Sequence, residues 1–154
     1  MEDIEYVFLA AAKAGGVMAL NTYRADSIYK NVMIQSNVIS CCHKYNVKKL
    51  LFFASNCLYP KFTDQPIKEE YILTGKLEPT TEFYAIAKIC GIKMCQAYRD
   101  QYNCNFISAL PINLYGENDN YNLDTAHVLP ALLYKFHKAK MDNLPTVEVW
   151  GSGN

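Results

Sequence analysis

The apolar residues of this chain fall into short unbroken runs separated by longer stretches with helical spacing. Residues 5–10 (EYVFLA), 48–54 (KKLLFFA) and 104–110 (CNFISAL) are runs with no regular polar alternation. Runs of this length, flanked by turn residues, predict strands buried in a sheet. Between the first two, Ile28, Val32, Ile34, Val38, Ile39 and Cys42 keep a helical spacing and predict a helix over 26–45, with Asp26 as its N-cap. Further helices are predicted over 81–101 and 125–140, and a last strand over 146–150 (TVEVW). Gly15 and Gly16 mark a loop after the first strand. The segment between 55 and 80 holds Pro60, Pro66, Gly75 and Pro79 and has no clear period. Loops of that length are uncommon and tend to carry function.

Strands that alternate with helices, and that read as continuous apolar runs, predict an α/β fold with a parallel sheet covered on both faces. Ligands of such sheets sit beyond the carboxyl ends of the strands. Residues 11–16, 55–59 and 111–116 are expected there. The stretch FFASNCLYP therefore leaves its apolar run at Ser55, Asn56 and Cys57, where this architecture places its site.

Composition narrows the function. A chain of 154 residues, 51% hydrophobic, can bury a core of its own. Fifteen basic and fifteen acidic residues leave no net charge, which argues against nucleic-acid or membrane-surface partners. No apolar run approaches the roughly 20 residues of a membrane span. The acidic opening MEDIE does not read as a secretory signal, so a cytoplasmic location is expected. The six cysteines form no CxxC pair and no histidine cluster stands at zinc-ligand spacing, so no metal is expected and the thiols read as reduced. All but Cys57 are read as small buried apolar residues.

One spacing carries chemistry. Residues four apart on a helix share a face. A lysine ammonium beside a tyrosine favours the phenolate and would bring the phenol toward the range of an acid/base catalyst. The chain has three such pairs, Tyr45/Lys49, Tyr84/Lys88 and Tyr134/Lys138. The first straddles a helix end and a strand start, and the last reads as a solvated helix face. Only Tyr84/Lys88 opens a helix after a loop that begins at a strand-end serine, Ser55. Ser55, Tyr84 and Lys88 together suit carbonyl reduction with a nicotinamide cofactor. Tyr84 would give the proton, Lys88 would hold the ribose, and Ser55 would bind the carbonyl oxygen.

Ser55-Asn56-Cys57-Leu58-Tyr59-Pro60, Lys68-Glu69-Glu70-Tyr71, Leu77-Glu78-Pro79-Thr80 and Tyr84-Ala85-Ile86-Ala87-Lys88 occur in order. So do Asn113-Leu114-Tyr115-Gly116, His127-Val128-Leu129-Pro130 and Val149-Trp150-Gly151-Ser152-Gly153. This series resembles the GDP-L-fucose synthases, extended short-chain dehydrogenases/reductases, along essentially the whole chain. The resemblance implies NADPH-dependent conversion of GDP-4-keto-6-deoxy-D-mannose to GDP-L-fucose, with epimerisation at C3 and C5 and reduction at C4. It implies that Ser55, Tyr84 and Lys88 serve the reduction and that Cys57 and His127 exchange the protons of epimerisation. A thiolate can remove a proton alpha to a ketone, and a partner must deliver one to the opposite face. It further implies cofactor contacts at Phe53, Ala54, Ser55, Asn56, Lys88, Pro111, Ile112, Asn113, Leu114 and His127, and GDP-sugar contacts at Lys135 and Trp150. Ala54, Asn56, Thr81 and Phe83 stand where that family usually has Gly, Ser, Asn and Pro.

The same resemblance places residues 1–112 in the second half of a Rossmann-type, doubly wound parallel sheet, and 113–154 in its last elements and the start of the nucleotide-sugar region. Family members are about twice as long. The seven glycines form no GxGxxG after a strand, the turn that seats a dinucleotide pyrophosphate. Weak NADPH binding by this chain alone is therefore expected. Self-association, as a homodimer or through the apolar edge of residues 5–10, is expected as well. A non-catalytic remnant of the family, and another nucleotide-sugar epimerase or dehydratase, are the competing readings.

Overall fold

The computed structural model describes residues 3–151. Three parallel strands form its sheet: β1 (Tyr6–Leu9), β2 (Lys49–Phe53) and β3 (Phe106–Ala109), side by side in chain order. Val7 pairs with Leu50, and Leu50 with Phe106. Four helices accompany them: α1 (Val17–Thr22), α2 (Arg24–Lys44), α3 (Glu82–Tyr102) and α4 (Val128–Met141). The α/β class and parallel sheet follow the sequence reading.

Both crossovers, β1–α2–β2 and β2–α3–β3, step in the same direction across the sheet. Right-handed crossovers then place α2 and α3 side by side on one face. Leu50, Phe52, Phe106, Ile39 and Leu58 are fully buried on that side, each contributing about 2 kcal/mol. On the other face Tyr6, Phe8 and Ile107 are exposed. Covering on both faces, expected from the apolar runs, is thus met on one face within the described residues.

Helix α2 begins earlier than Asp26. The short helix α1, capped by Gly16, runs into it through Tyr23, and Asp26 lies inside the first turn, 3.1 Å from Lys30. A carboxylate there still favours the helix dipole, but it is not the N-cap that the sequence suggested. Asn46, Asn103 and Asn143 take φ of 52°, 55° and 51° where α2, α3 and α4 stop. Asparagine tolerates the left-handed conformation that ends a helix, so each supplies a stop without glycine. Residues 146–150 alternate like a strand but form none, since no strand lies beside them among the described residues. They pass instead along α4, where Lys135 Nζ donates to the Glu148 carbonyl at 3.0 Å.

Only Cys42 and Cys95 are fully buried. Cys41, Cys90 and Cys104 are half-buried, which revises the uniformly buried reading. Among the described residues no helix is long and apolar enough to cross a membrane, and no group of three or more His, Cys, Asp or Glu could hold a metal ion.

Candidate active site

The ends of β2 and β3 open into a cavity of about 810 Å³. Ala54, Ser55, Asn56 and Cys57 line it from the end of β2. Tyr84 lines it from the first turn of α3, Pro111 to Leu114 from the end of β3, His127 and Lys135 from α4, and Trp150 from the last segment. Phe53 and Lys88 stand behind this wall, outside the lining. Every other residue expected in catalysis or in cofactor or sugar contact thus borders one space, from segments separated along the chain.

The corner after β2 is built by Ser55. Its backbone is extended, with φ −161° and ψ 161°, and it caps the 3₁₀ turn Asn56–Leu58. The hydroxyl oxygen accepts from the Cys57 amide at 3.5 Å and from the Cys57 thiol at 3.3 Å. With Oγ accepting from both, the Ser55 hydroxyl proton remains available to a carbonyl oxygen in the cavity. Leu58, fully buried, anchors the turn in the core.

Lys88 is 3% exposed. Its ammonium donates to the Phe53 carbonyl at 2.8 Å and lies 4.8 Å from the Phe52 ring centroid and 5.8 Å from that of Tyr84. Burial pulls the Lys88 ammonium down to about 8, and the charge of Cys57 opposes this. Burial pushes the Tyr84 phenol up to about 12, and the charge of Cys57 adds to that. The phenol is therefore not lowered by its lysine, as the spacing suggested. Desolvation of Tyr84 dominates, and Lys88 directs its donor at the backbone of β2. A phenol raised this far stays protonated at neutral pH and gives its proton only to a strong base, such as the alkoxide that forms as a ketone is reduced. The Cys57 thiol is held above its ordinary value: burial pushes it up by more than a Ser55 hydroxyl turned to donate to the thiolate, and the Lys88 charge, pull it down.

His127 is the N-cap of α4, exposed, with an extended backbone of φ −70° and ψ 164°. Gly16 steadies the turn that carries it. The Gly16 amide donates to the Thr125 carbonyl at 3.1 Å, and a Cβ on Gly16 would lie 2.7 Å from the Ala126 carbonyl oxygen. On α4, Lys135 Nζ sits 5.3 Å from the Trp150 ring centroid. Sequence reasoning missed α1 and the 122–127 turn, which supply Val17, Met18, Leu20, Leu123 and Ala126 to the cavity. The signal was present: Gly16 followed by VMALNT is a glycine cap before a mostly apolar turn.

One side of the cavity combines polar and apolar groups. Ser55 and Tyr84 offer hydrogen-bonding groups beside the exposed apolar chains of Ile112 and Leu114. The NAD dependent epimerase/dehydratase family matches residues 1–154. The chain belongs to this family. The GDP-L-fucose synthase of Escherichia coli is 55% identical over 152 residues, which are 99% of this chain and 47% of that protein. A solved GDP-L-fucose synthetase from Naegleria fowleri bound to NADP superposes with a TM-score of 0.85 at 32% identity, covering 97% of this chain and 49% of that one. A GDP-6-OMe-4-keto-L-xylo-heptose reductase from C. jejuni is 47% identical with a TM-score of 0.84, over 89% of this chain and 39% of its own. The chain spans about half the length of the curated relatives it matches.

Proposed function

We propose that this chain carries the reducing and epimerising side chains of a GDP-L-fucose synthase. The reaction is NADPH-dependent conversion of GDP-4-keto-6-deoxy-D-mannose to GDP-L-fucose, through epimerisation at C3 and C5 and reduction at C4. The observation that carries this reading is the shared corner of the cavity, where Ser55 Oγ lies 3.3 Å from the Cys57 thiol and Tyr84 lines the same space. A proton acceptor and a carbonyl-binding hydroxyl at that separation can address one ketone and its alpha carbon together.

In this reading Ser55 donates its hydroxyl proton to the C4 oxygen. Cys57, as thiolate, removes a proton alpha to that carbonyl, and Ser55 holds the negative charge that develops on oxygen. His127, on the wall formed by α4, returns a proton to the opposite face. Tyr84 then gives its phenolic proton to the C4 oxygen as the ketone is reduced. Lys88 stabilises the phenolate left behind and would hold the nicotinamide ribose once its bond to Phe53 is exchanged. The dihydronicotinamide supplies the hydride. Phe53 to Asn56 and Pro111 to Leu114 border the cofactor, residues 1–112 belonging to its domain and 113–154 to the sugar region. Lys135 faces the diphosphate as a cation, and Trp150, 73% exposed, offers its ring to the guanine. The edge of β1, unpaired among the described residues and bordered by the open face on which Tyr6 and Phe8 are 60% and 71% exposed, pairs with a second copy. The location is cytoplasmic.

A second reading is favoured by the heptose reductase relative: ketone reduction without epimerisation. Turnover in deuterated water separates the two. The synthase reading requires deuterium at C3 and C5 of the product, and its loss in Cys57→Ser while C4 reduction continues. Reduction with no deuterium at either carbon in the unmodified protein establishes the second. Neither activity, in a protein that melts cooperatively and at NADPH concentrations shown to saturate it, leaves a non-catalytic member of the family.

A further inference from the structure

Gln35 is a polar side chain deep in the core, 2% exposed, on the side of α2 that meets α3. Its Nε2 donates to the carbonyl of Ala87, the residue immediately before Lys88 on α3. Its Oε1 has no partner. An unpartnered buried amide oxygen costs about 1 to 3 kcal/mol, so an apolar residue would be the more stabilising choice if Gln35 only filled space. The surroundings leave no slack. A Cβ on Gly91 would lie 2.9 Å from Gln35 Oε1 and 2.4 Å from the Phe52 ring. The same Phe52 ring lies beneath the Lys88 ammonium, 4.8 Å from its centroid to Nζ. Gln35, Gly91, Phe52 and Lys88 therefore form one continuous stack from α2 through α3 to β2.

We propose that Gln35 is a positioning residue, whose hydrogen bond to Ala87 fixes the register and height of α3 over β2 and so places Tyr84 at the cavity wall and Lys88 behind it. Gly91 permits the close approach, and Phe52 transmits it to Lys88. The inference rests on the reading that Tyr84 and Lys88 do the reductive chemistry, but its test does not need turnover.

The test uses Gln35→Met, which keeps the length and removes the amide. Lys88 is acetylated with acetic anhydride across a pH series and its modification followed by peptide mass spectrometry, beside a thermal melt. In the parent the labelling of Lys88 is expected to rise around pH 8. In the folded variant the midpoint is expected to move up by about one pH unit toward an ordinary lysine, as α3 lifts and water reaches Nζ. Lys138, exposed on α4, serves as the unchanged control. A cooperative melt with an unmoved Lys88 midpoint overturns the proposal, since a purely structural loss lowers the melt alone. If Gln35→Met does not fold, Gln35→Asn is read in the same way, because it keeps the amide but shortens its reach to Ala87. A moved midpoint with no turnover in any assay leaves Gln35 in its role and removes the catalytic reading instead.

Discussion

Replacing Lys88 with methionine should stabilise this protein near neutral pH and should do so less as the pH rises. Lys88 is 3% exposed, and burial pulls its ammonium from 10.5 down to about 8. That displacement corresponds to about 3 kcal/mol of cost for carrying the charge at pH 7. A base depressed in the folded state binds fewer protons there than in the unfolded chain between pH 8 and 10.5. Its penalty is therefore fully present below about pH 8 and is relieved as the pH climbs toward 10.5. Methionine keeps the stem that packs against Phe52 but loses the bond to the Phe53 carbonyl, a loss of about 1 kcal/mol. The net expectation is a gain of about 2 kcal/mol at pH 7. Between pH 7 and pH 9 the parent discharges Lys88 and recovers about 1 kcal/mol, so the gap between the two proteins should narrow by that amount. Cys42, Cys57, Cys95 and Cys104 are pushed up by burial and weaken both proteins as the pH passes 9, and they largely cancel in the difference. Urea denaturation of parent and Lys88→Met at pH 7 and 9 measures all of this. A variant less stable than the parent at pH 7, or a gap equal at both pH values, would refute the reasoning.

The remaining expectations concern the cofactor, the His127 turn and the sheet edge. Fluorescence titration with NADPH should give weak binding, because the chain has no glycine-rich phosphate turn after a strand; a submicromolar Kd would show that the grip comes from elsewhere. Gly16→Ala should cost about 1 to 3 kcal/mol in chemical denaturation and displace the turn before His127, since the new Cβ would meet the Ala126 carbonyl oxygen at 2.7 Å. A variant as stable as its parent would mean that the turn is not held there. Sedimentation should show concentration-dependent self-association that Phe8→Lys weakens; a clean monomer at high concentration would remove the proposed pairing through β1.

The order of strands and helices was legible because a buried parallel strand and an amphipathic helix leave different periods in the sequence. Residues 49–53 and 106–109 fell inside the predicted runs for that reason. The corner at Ser55 was legible from the abrupt end of an apolar run. What failed depended on neighbours rather than period. TVEVW has the alternation of a strand, but a strand exists only beside another. Asp26 has the chemistry of a cap, but Tyr23 and the short α1 moved the helix start upstream. The acidity of Tyr84 failed for a different cause. The four-residue spacing to Lys88 is real, yet spacing does not report how deeply both groups are buried, and burial decided the outcome. Gln35 could not be found in the sequence at all, since a polar residue at that position reads as helix surface until α3 is laid against it.

On the proposed reading, the two reactions make opposite demands on one corner. Epimerisation needs Cys57 without its proton, and reduction needs Tyr84 to give its proton away. The coupling between these groups orders the steps. A negative Cys57 raises the hold of Tyr84 on its proton and raises that of Lys88 on its own. While the thiolate is present, Tyr84 is thus a poorer donor and the ketone is protected from early reduction. Once Cys57 carries a proton, that restraint is lifted, and the phenol is left under the influence of burial alone. Ser55 serves both steps from one position, because its oxygen accepts from the Cys57 amide and thiol and its own proton is left for the carbonyl of the proposed substrate. A Cys57→Ser variant should therefore lose proton exchange and also lose the delay before reduction. Presented with an already epimerised ketone, it should reduce at least as fast as its parent, whereas a Ser55→Ala variant should be slow in both reactions. A Cys57→Ser variant slowed equally in both would mean that the thiol acts by shaping the turn rather than by its charge.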